Sequence, residues 1–142
     1  MHQVTRREIR DSAFKLLFEK LLREDPIEIL YEIAEEIEDF IVNDDVKALV
    51  NGTLAHADEL DAIIGKYSKS REINRIPAIN RTILRIALYE ILYDDGTPIN
   101  AAINEAVVLA KEYTYQVDVS FINGLLGAYA KEYAAEHPTE AL

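Results

Sequence analysis

The fold is decided by residues 77–92, which read PAINRTILRIALYEIL. A proline that can open a helix is followed by apolar residues at three- and four-residue steps, the period of an amphipathic helix. Arg85 and Glu90 interrupt the stretch, so it predicts a helix in a protein core and not a membrane span. The apolar positions are Ile79, Ile83, Leu84, Ile86, Ala87, Leu88 and Ile91.

Three helices are predicted before this stretch. The first begins with a capping box of Thr5 and Glu8, in which each side chain bonds the backbone N–H of the other residue. The second has Asp25 as its cap and Pro26 at its first position, and the third is capped by Asn43. The predicted spans are 6–22, 26–41 and 44–64, with Gly65 ending the third helix.

Two helices are predicted after the stretch, one that Pro98 opens and that extends to residue 113, and one over 119–135 that Asp118 caps. No alternating strand pattern occurs. Residues 66–76 are polar and basic, and they are interpreted as a connector between an N-terminal bundle at 1–65 and a C-terminal bundle at 77–136. We therefore predict one all-α domain, spanning 1–142, with about six to seven helices in two small bundles.

The basic residues are concentrated in two segments, although the formal net charge of the chain is −11. Residues 1–23 hold six Lys/Arg against three Asp/Glu, and residues 66–85 hold six against one. In residues 24–65, by contrast, thirteen Asp/Glu accompany a single Lys. Two basic segments in an acidic background are compatible with nucleic-acid binding and equally with chance clustering on solvated helices.

The sequence contains no constellation of residues that would support catalysis or bind a metal. There is no Cys, the three His are scattered, and His56 has no partner at metal-site spacing. A Gly-rich phosphate loop and a nucleophile elbow are also absent from the sequence. We predict a protein that is not an enzyme and needs no cofactor or metal. Because no signal region or membrane span is found, we expect it in the cytoplasm.

Three arginines, Arg6, Arg7 and Arg10, open the first predicted helix. On a helical wheel Arg6 and Arg10 share the sector of the apolar stripe, and Arg7 lies at its edge. Guanidinium groups at a helix N-terminus, beside free backbone N–H donors, suit a phosphate backbone. Pairing with acids such as Glu8 and Asp11 explains the same pattern, so both interpretations stay open.

The second basic segment combines cations with an aromatic residue. Arg81 and Arg85 are one helical turn apart, and Tyr67 lies within the segment. Phe121, near the start of the last predicted helix, has the spacing of a core residue, whereas an exposed ring there would stack on an unpaired base. The cations of this segment are Lys66, Lys69, Arg71, Arg75, Arg81 and Arg85.

Four strings of sequence are distinctive because of their order and spacing. They are RRxxR at 6–10, ILRIALYE at 83–90, AINEAVxLAK at 102–111 and FINGLL at 121–126, and Pro98 stands between the second and the third. Together they resemble the NusB family of transcription antitermination factors, over nearly the whole chain. The resemblance is strongest from Arg75 to Leu126.

The resemblance implies a NusB-like fold of two small helical bundles and a function without covalent chemistry. Members of that family bind box A, a short single-stranded element in transcripts of ribosomal RNA operons. They do so together with NusE, which is also a small-subunit ribosomal protein. The complex joins other Nus factors on RNA polymerase, and no membrane is involved. Self-association into a homodimer that covers the arginines is also implied.

Site residues follow from the resemblance position by position. It implies RNA contacts at Arg6, Arg7, Arg10, Arg71 and Phe121, and we assign Lys69 and Arg75 with them because they share the basic segment of Arg71. A contact surface for NusE is implied at Phe18 and Asn80, with Arg81 beside them. The chain departs from the family pattern at Glu8, Phe18, Asn80 and Asp118, where a basic residue, Tyr, an acidic residue and Ser are more usual.

Two other functions compete with RNA binding. NusB-like domains also stand at the front of a class of ribosomal RNA cytosine methyltransferases, but that activity requires a Rossmann-like domain, which we do not expect since the sequence ends at Leu142 without one. A helical protein-interaction module that uses its acidic surface is the remaining alternative. Binding of a box A-like RNA, measured with NusE present, discriminates between these hypotheses.

Overall fold

Seven α-helices are found in the computed structural model, which describes residues 3–69 and 72–137. Within these ranges no strand occurs, so the predicted all-α class is confirmed. None of the described helices combines the length and apolar character needed to cross a membrane. The helices are α1 (Arg6–Leu22), α2 (Ile27–Glu35), α3 (Asp44–Ala55), α4 (Ala57–Tyr67), α5 (Ala78–Tyr93), α6 (Ile99–Tyr113) and α7 (Gln116–Glu136), with a 3₁₀ turn at Ile73–Arg75.

The helices form two compact units, Met1–His56 and Ala57–Leu142, each with a buried apolar core. In the first unit α1 packs against α2 and α3, and in the second α5 packs against α4, α6 and α7. The division predicted from the sequence, into bundles at 1–65 and 77–136, stays a prediction. Core side chains of the first unit include Ala13, Leu30, Val46 and Val50, and those of the second include Leu60, Ile83, Leu84, Leu88, Ile122 and Leu126.

The N-terminus of α1 has the predicted capping box. The Oγ1 of Thr5 accepts a hydrogen bond from the backbone N–H of Glu8 at 3.1 Å, and the Oε1 of Glu8 accepts one from the backbone N–H of Thr5 at 3.0 Å. Two N–H donors that a helix start leaves unpaired are thereby satisfied. The helix begins and ends at the predicted residues, so its start is held in place by local chemistry.

The second predicted helix is wrong at both ends. Pro26 is the N-cap of α2 rather than its first helical residue, and the carboxylate of Asp25 accepts from Arg23 at 2.8 Å instead of capping the helix. The helix ends at Glu35, and Asp39 takes a left-handed φ of 69°, which a continuing helix does not permit. The apolar residues that continue the helical period, Ile37 and Phe40, lie at a turn after α2. There the backbone N–H of Phe40 donates to the carbonyl of Ile37.

The third predicted helix, 44–64, is two helices, α3 and α4. Asn43 caps α3 as predicted, since its Oδ1 accepts from the backbone N–H of Val46 at 2.8 Å. The break lies at His56, whose ψ of 14° leaves the helical range. One turn earlier the hydroxyl of Thr53 donates to the carbonyl of Leu49 at 2.7 Å, a bond that tends to bend helices. Gly65 lies inside α4, which continues to Tyr67.

The last predicted helix begins earlier than expected. Tyr115 is the N-cap of α7, and Asp118 lies in the first turn of the helix, so the prediction that Asp118 is the cap is wrong. The Asp118 carboxylate instead accepts from the hydroxyl of Thr114 at 2.8 Å and from the amide Nδ2 of Asn80 at 2.9 Å. A carboxylate in the first turn still complements the positive end of the helix dipole.

Two buried tyrosines are expected to make the fold sensitive to high pH. Burial, assisted by the charge of Glu28, raises the pKa of Tyr31 to about 12, and burial also raises the pKa of Tyr129 to about 12. In the unfolded chain both hydroxyls ionise near pH 10. The unfolded state therefore loses these protons first, so the contribution of the two tyrosines to stability is constant well below pH 10 and falls from pH 10 to about 12, by roughly 2 kcal/mol for each tyrosine.

Urea unfolding at several alkaline pH values measures this loss, and Tyr31→Phe is the matched variant. The hydroxyl of Tyr31 donates to the Oδ1 of Asn51 at 2.7 Å, so Tyr31→Phe also loses the stability that this hydrogen bond provides. Unfolding at neutral pH measures that loss separately from the effect of alkaline pH. Above pH 10 the stability of Tyr31→Phe should fall less steeply than that of the unaltered chain. An identical slope for both proteins would contradict the assignment of the pH dependence to Tyr31.

Candidate nucleic-acid interface

Two exposed arginines stand at the start of α1. Arg6 and Arg7 occupy its first two positions, directly after the Thr5 cap. The positive end of the helix dipole lies there, so cations at these positions are unfavourable for the helix itself. Glu8, in the third position, offsets part of this charge. The dipole thus gives no reason for arginines here, and pairing with acids of the chain and an anionic ligand at the helix start are the two remaining explanations.

Arg10 lies in a different environment from the other two arginines. Its side chain is only 7 % exposed, and it lies on α1 between the buried residues Ile9 and Ser12. The helical wheel correctly placed Arg10 on the inward face, whereas Arg6, in the same sector, is exposed because the core begins one turn later. Of the three arginines, Arg6 and Arg7 have the accessible side chains.

Arg81 and Arg85, which are one helical turn apart, both have structural partners. The Nε and Nη2 of Arg85 donate to the two carboxylate oxygens of Asp61 at 2.7 and 2.5 Å, a bidentate bridge between α5 and α4. The two side chains are 13 % and 24 % exposed. Arg81 donates through Nη1 to the carbonyl of Ile73 at 3.2 Å and so supports the 3₁₀ turn.

The other cations of the second basic segment differ in accessibility. Lys69 and Arg75 are exposed, at the turn after α4 and in the 3₁₀ turn, whereas Arg71 lies outside the described residues. The ammonium of Lys66 binds the Oε1 of Glu132 at 3.0 Å. Glu132 also accepts from the hydroxyl of Tyr67, and these two hydrogen bonds, Tyr67 first, lower the pKa of its carboxyl. Tyr67 is thus tied to α7 by its hydroxyl.

Phe121 is half-buried on α7, next to the fully buried Ile122. The spacing predicted a core residue, but only part of the Phe121 ring is buried, and the remainder is accessible. Base stacking requires such an accessible aromatic face. Because Phe121 belongs to the second unit, the structure groups it with Lys69 and Arg75 of that unit, and Arg6, Arg7 and Arg10 belong to the first unit.

The residues assigned to a protein partner also divide by burial. Phe18 is half-buried and stacks parallel to Phe14, with ring centroids 5.9 Å apart. Leu22, one turn further along α1, is 64 % exposed and was missed by the sequence analysis. Asn80, by contrast, is 0 % exposed and hydrogen-bonded to Asp118. Phe18 and Leu22 together offer the accessible apolar surface at the end of α1.

Comparison with known proteins identifies the family. Residues 7–131 match the family model described as the NusB family. The chain belongs to the NusB family. The predicted family and fold class are therefore confirmed, and the protein is a NusB-type transcription antitermination factor and not an enzyme.

Curated relatives support the same assignment. The transcription antitermination protein NusB of Acetivibrio thermocellus is 36% identical over 130 residues, which are 89% of this chain and 88% of that protein. That of Ruminiclostridium cellulolyticum is 38% identical over 128 residues, with the same coverage of 89% and 88%. NusB of Heliobacterium modesticaldum is 34% identical over 91% of this chain, which spans 64% of the length of that protein.

Solved structures of the NusB family share the fold. The structure of T. maritima NusB superposes with a TM-score of 0.79 at 31% identity and covers 92% of this chain and 94% of its own. A crystal structure of the antitermination factors NusB and NusE in complex with double-stranded RNA gives a TM-score of 0.78 at 31% identity, with 90% and 97% covered. The NusB fold is thus reproduced over nearly the whole chain.

Sequence analysis of this NusB chain also missed Asp61, the partner of Arg85. A signal was present, because a charged residue inside the apolar stretch 77–92 requires a counter-charge when the helix is buried. The sequence offered thirteen acids in residues 24–65 as candidates and no means to choose among them. Only packing of α4 against α5 selects Asp61.

Proposed function

We propose that this protein binds single-stranded box A RNA of ribosomal RNA operons together with NusE. The observation that carries the proposal is the exposure of Arg6 and Arg7 at the first two positions of α1, in a chain whose net charge is −11. Guanidinium groups at the positive end of a helix dipole favour phosphate. The solved NusB–NusE complex with double-stranded RNA supports RNA and NusE as the partner classes.

The remaining RNA-contacting residues belong to the same proposal. Lys69, Arg75 and Phe121 supply accessible charge and an aromatic face in the second unit, and Arg71 is included from the sequence. Arg10 is also included from the sequence, and its side chain is 7 % exposed. The residues that we propose to contact NusE are Phe18, Asn80 and Arg81. The amide of Asn80 donates to the carboxylate of Asp118. The complex would act in the cytoplasm with other Nus factors on RNA polymerase.

A titration of fluorescent box A RNA, with and without NusE and at two salt concentrations, tests the function. We expect weak binding by the protein alone, because its acidic surplus repels RNA, and tighter binding with NusE. Because the protein neutralises a few phosphates of the RNA, its affinity for the RNA should fall about tenfold or more between low and moderate salt. A scrambled RNA of equal length is the control. No detectable binding with NusE present would overturn the proposal.

A second candidate function is a protein-interaction module that acts through α2. Three exposed glutamates of this helix and a fourth at its C-cap accompany two isoleucines, Ile29 and Ile33, each 40 % exposed. An acidic apolar surface of this kind suits a basic partner protein. Replacing glutamates of α2 should leave RNA binding with NusE intact if RNA binding is the function, and should abolish partner binding in the alternative. The glutamates are Glu28, Glu32, Glu35 and Glu36.

A further inference from the structure

Three isoleucines form an exposed apolar row along α2 and the turn after it. Ile29, Ile33 and Ile37 are four residues apart, and they are 40 %, 40 % and 51 % exposed. The backbone N–H of Ile37 donates to the carbonyl of Ala34 at 3.0 Å, so the chain still turns where the helix ends. Single exposed apolar residues are ordinary in proteins, but a row of large ones is typical of a contact surface. We call these three residues the isoleucine row.

The isoleucine row lies between the buried face of α2 and an acidic face. Ile29 and Ile33 are each followed by a buried residue, Leu30 and Ala34, and every member of the row is preceded by an exposed glutamate. Successive residues of a helix are about 100° apart, so apolar surface extends outward from the buried face and carboxylates border it. The glutamates, which we call the glutamate row, are Glu28, Glu32 and Glu36.

The spacing of the isoleucine row matches the geometry of helix packing. Residues four apart form the ridges that fit into the grooves of a second helix in the commonest class of helix contact. From Ile29 to Ile37 the row extends about 12 Å, a length that about two turns of a partner helix would cover. An amphipathic helix that lays its apolar face on this row is therefore the segment that fits it best.

Charge specifies the polar side of such a partner helix. Residues 24–46 hold ten Asp/Glu and no Lys or Arg. Glu35 pairs with Lys47 at 3.7 Å, whereas no ion pair joins the glutamate row to a cation within the described residues. Like charges four residues apart, and acids at the negative end of a helix dipole, are unfavourable for α2 itself. Lysines or arginines of a partner would offset both effects, and phosphate would add to the repulsion.

We propose that the isoleucine row of α2 binds a basic amphipathic helix of a partner protein. Apolar residues of that helix cover the isoleucine row, and its cations lie beside the glutamate row. A second copy of α2 would bring glutamates against glutamates, so charge disfavours self-association through this surface. The residues involved are distinct from those proposed to contact RNA or NusE. The inference thus goes beyond the proposed RNA binding, and it gives the α2 surface of the second candidate function a helical partner.

Titration of the isotope-labelled protein with a synthetic peptide tests the proposal by amide chemical shifts. The peptide is a helix of about four turns with leucines on one face and lysines beside them. One control peptide has the same residues in scrambled order, and the other has glutamate in place of lysine. Signals of residues 28–37 should move, and both control peptides should bind at least about tenfold more weakly.

Several outcomes of this titration would overturn the proposal. Equal binding of the glutamate peptide would mean that charge is not recognised, and shifts confined to other residues would place the site elsewhere. Absence of any shift at the solubility limit would also overturn it. So would a box A RNA that displaces the peptide, or a dimer of this chain that covers the isoleucine row.

Variants of the isoleucine row locate the apolar contact. Ile29→Thr combined with Ile33→Thr removes apolar surface but keeps β-branched side chains, so α2 should remain helical. This double variant should weaken binding of the lysine peptide about tenfold. The matched control is Val117→Thr, at a residue of α7 that is 70 % exposed, and it should change nothing. Equal effects of the two changes would contradict a site on α2.

Variants of the glutamate row locate the charge contact. Replacing all three glutamates by glutamine should weaken peptide binding about tenfold at low salt and less at moderate salt, because salt screens exposed charges. The control removes the same charge from the second unit, through Asp58→Asn, Glu112→Gln and Glu136→Gln. A control that weakens binding equally would overturn the local site. Box A binding with NusE, measured on the same variants, should not change, so failure of the proposed function would show separately.

Discussion

Replacing Arg6 and Arg7 together by alanine is expected to weaken RNA binding about tenfold to a hundredfold at low salt, because two charge-assisted contacts to phosphate are lost. Both side chains are exposed at the start of α1, so their removal leaves no cavity. Cations at a helix N-terminus are unfavourable for the helix. The free energy of unfolding should therefore stay the same or rise by a few tenths of a kcal/mol.

The dependence on salt gives a second measure from the same experiment. Each phosphate contact to a single strand contributes about 0.7 to the slope of log affinity against log salt, so the double variant should lower that slope by about 1.4. The matched control is Lys20→Ala with Arg23→Ala, which removes the same charge from the other end of α1. If the control weakens RNA binding as much as the Arg6/Arg7 variant does, net charge and not a local site governs binding.

Asp61→Ala is expected to destabilise the protein by about 2 to 3 kcal/mol, because it leaves the guanidinium of Arg85 unpaired in a largely buried position. A fully buried pair would lose more, but here the two side chains are 13 % and 24 % exposed, and water screens part of the charge. For a chain of this size the melting temperature should fall by roughly 5–10 °C. Box A affinity of the folded variant should not change.

A double-mutant cycle separates the pair from its surroundings. Asp61→Ala combined with Arg85→Met removes both charges, and the double variant should lie within about 1 kcal/mol of the unaltered protein. Lys66→Ala is the comparison, since its pair with Glu132 is exposed and its loss should matter far less. Strictly additive losses in the cycle would contradict a coupled pair, and a loss of RNA affinity in Arg85→Met would show that Arg85 also contributes to RNA binding.

Helix ends that rest on local chemistry were predictable, and those that rest on packing were not. The capping box of Thr5 and Glu8 and the cap by Asn43 involve residues three apart, so sequence spacing contains the whole arrangement. The extra helix break at His56 and the short α2 depend on how apolar residues settle against α1. An unbroken apolar period is compatible with one helix or with two that share a core, so periodicity alone could not choose.

The candidate site was predictable in type but only partly in membership. Basic segments in an acidic chain, and the family resemblance, identified Arg6 and Arg7, and the structure has both exposed. It has Arg10 buried and Arg85 paired with Asp61, since a guanidinium in an apolar stretch needs a partner that is distant in sequence. Burial and pairing depend on long-range packing, which a count of charges does not contain.

By itself the sequence determined the helical class, the bounds of α1 and the family, because helix period, capping residues and ordered motifs are local properties of the chain. Most of the stretch at 77–92 lies in α5, and its apolar residues from Ile83 to Leu88 are buried. Only the tertiary structure decided which cations remain accessible and that the buried Oδ1 of Asn80 has no hydrogen-bond donor among the described residues. Those outcomes depend on groups far apart in sequence competing for the same hydrogen bonds and the same contact with water.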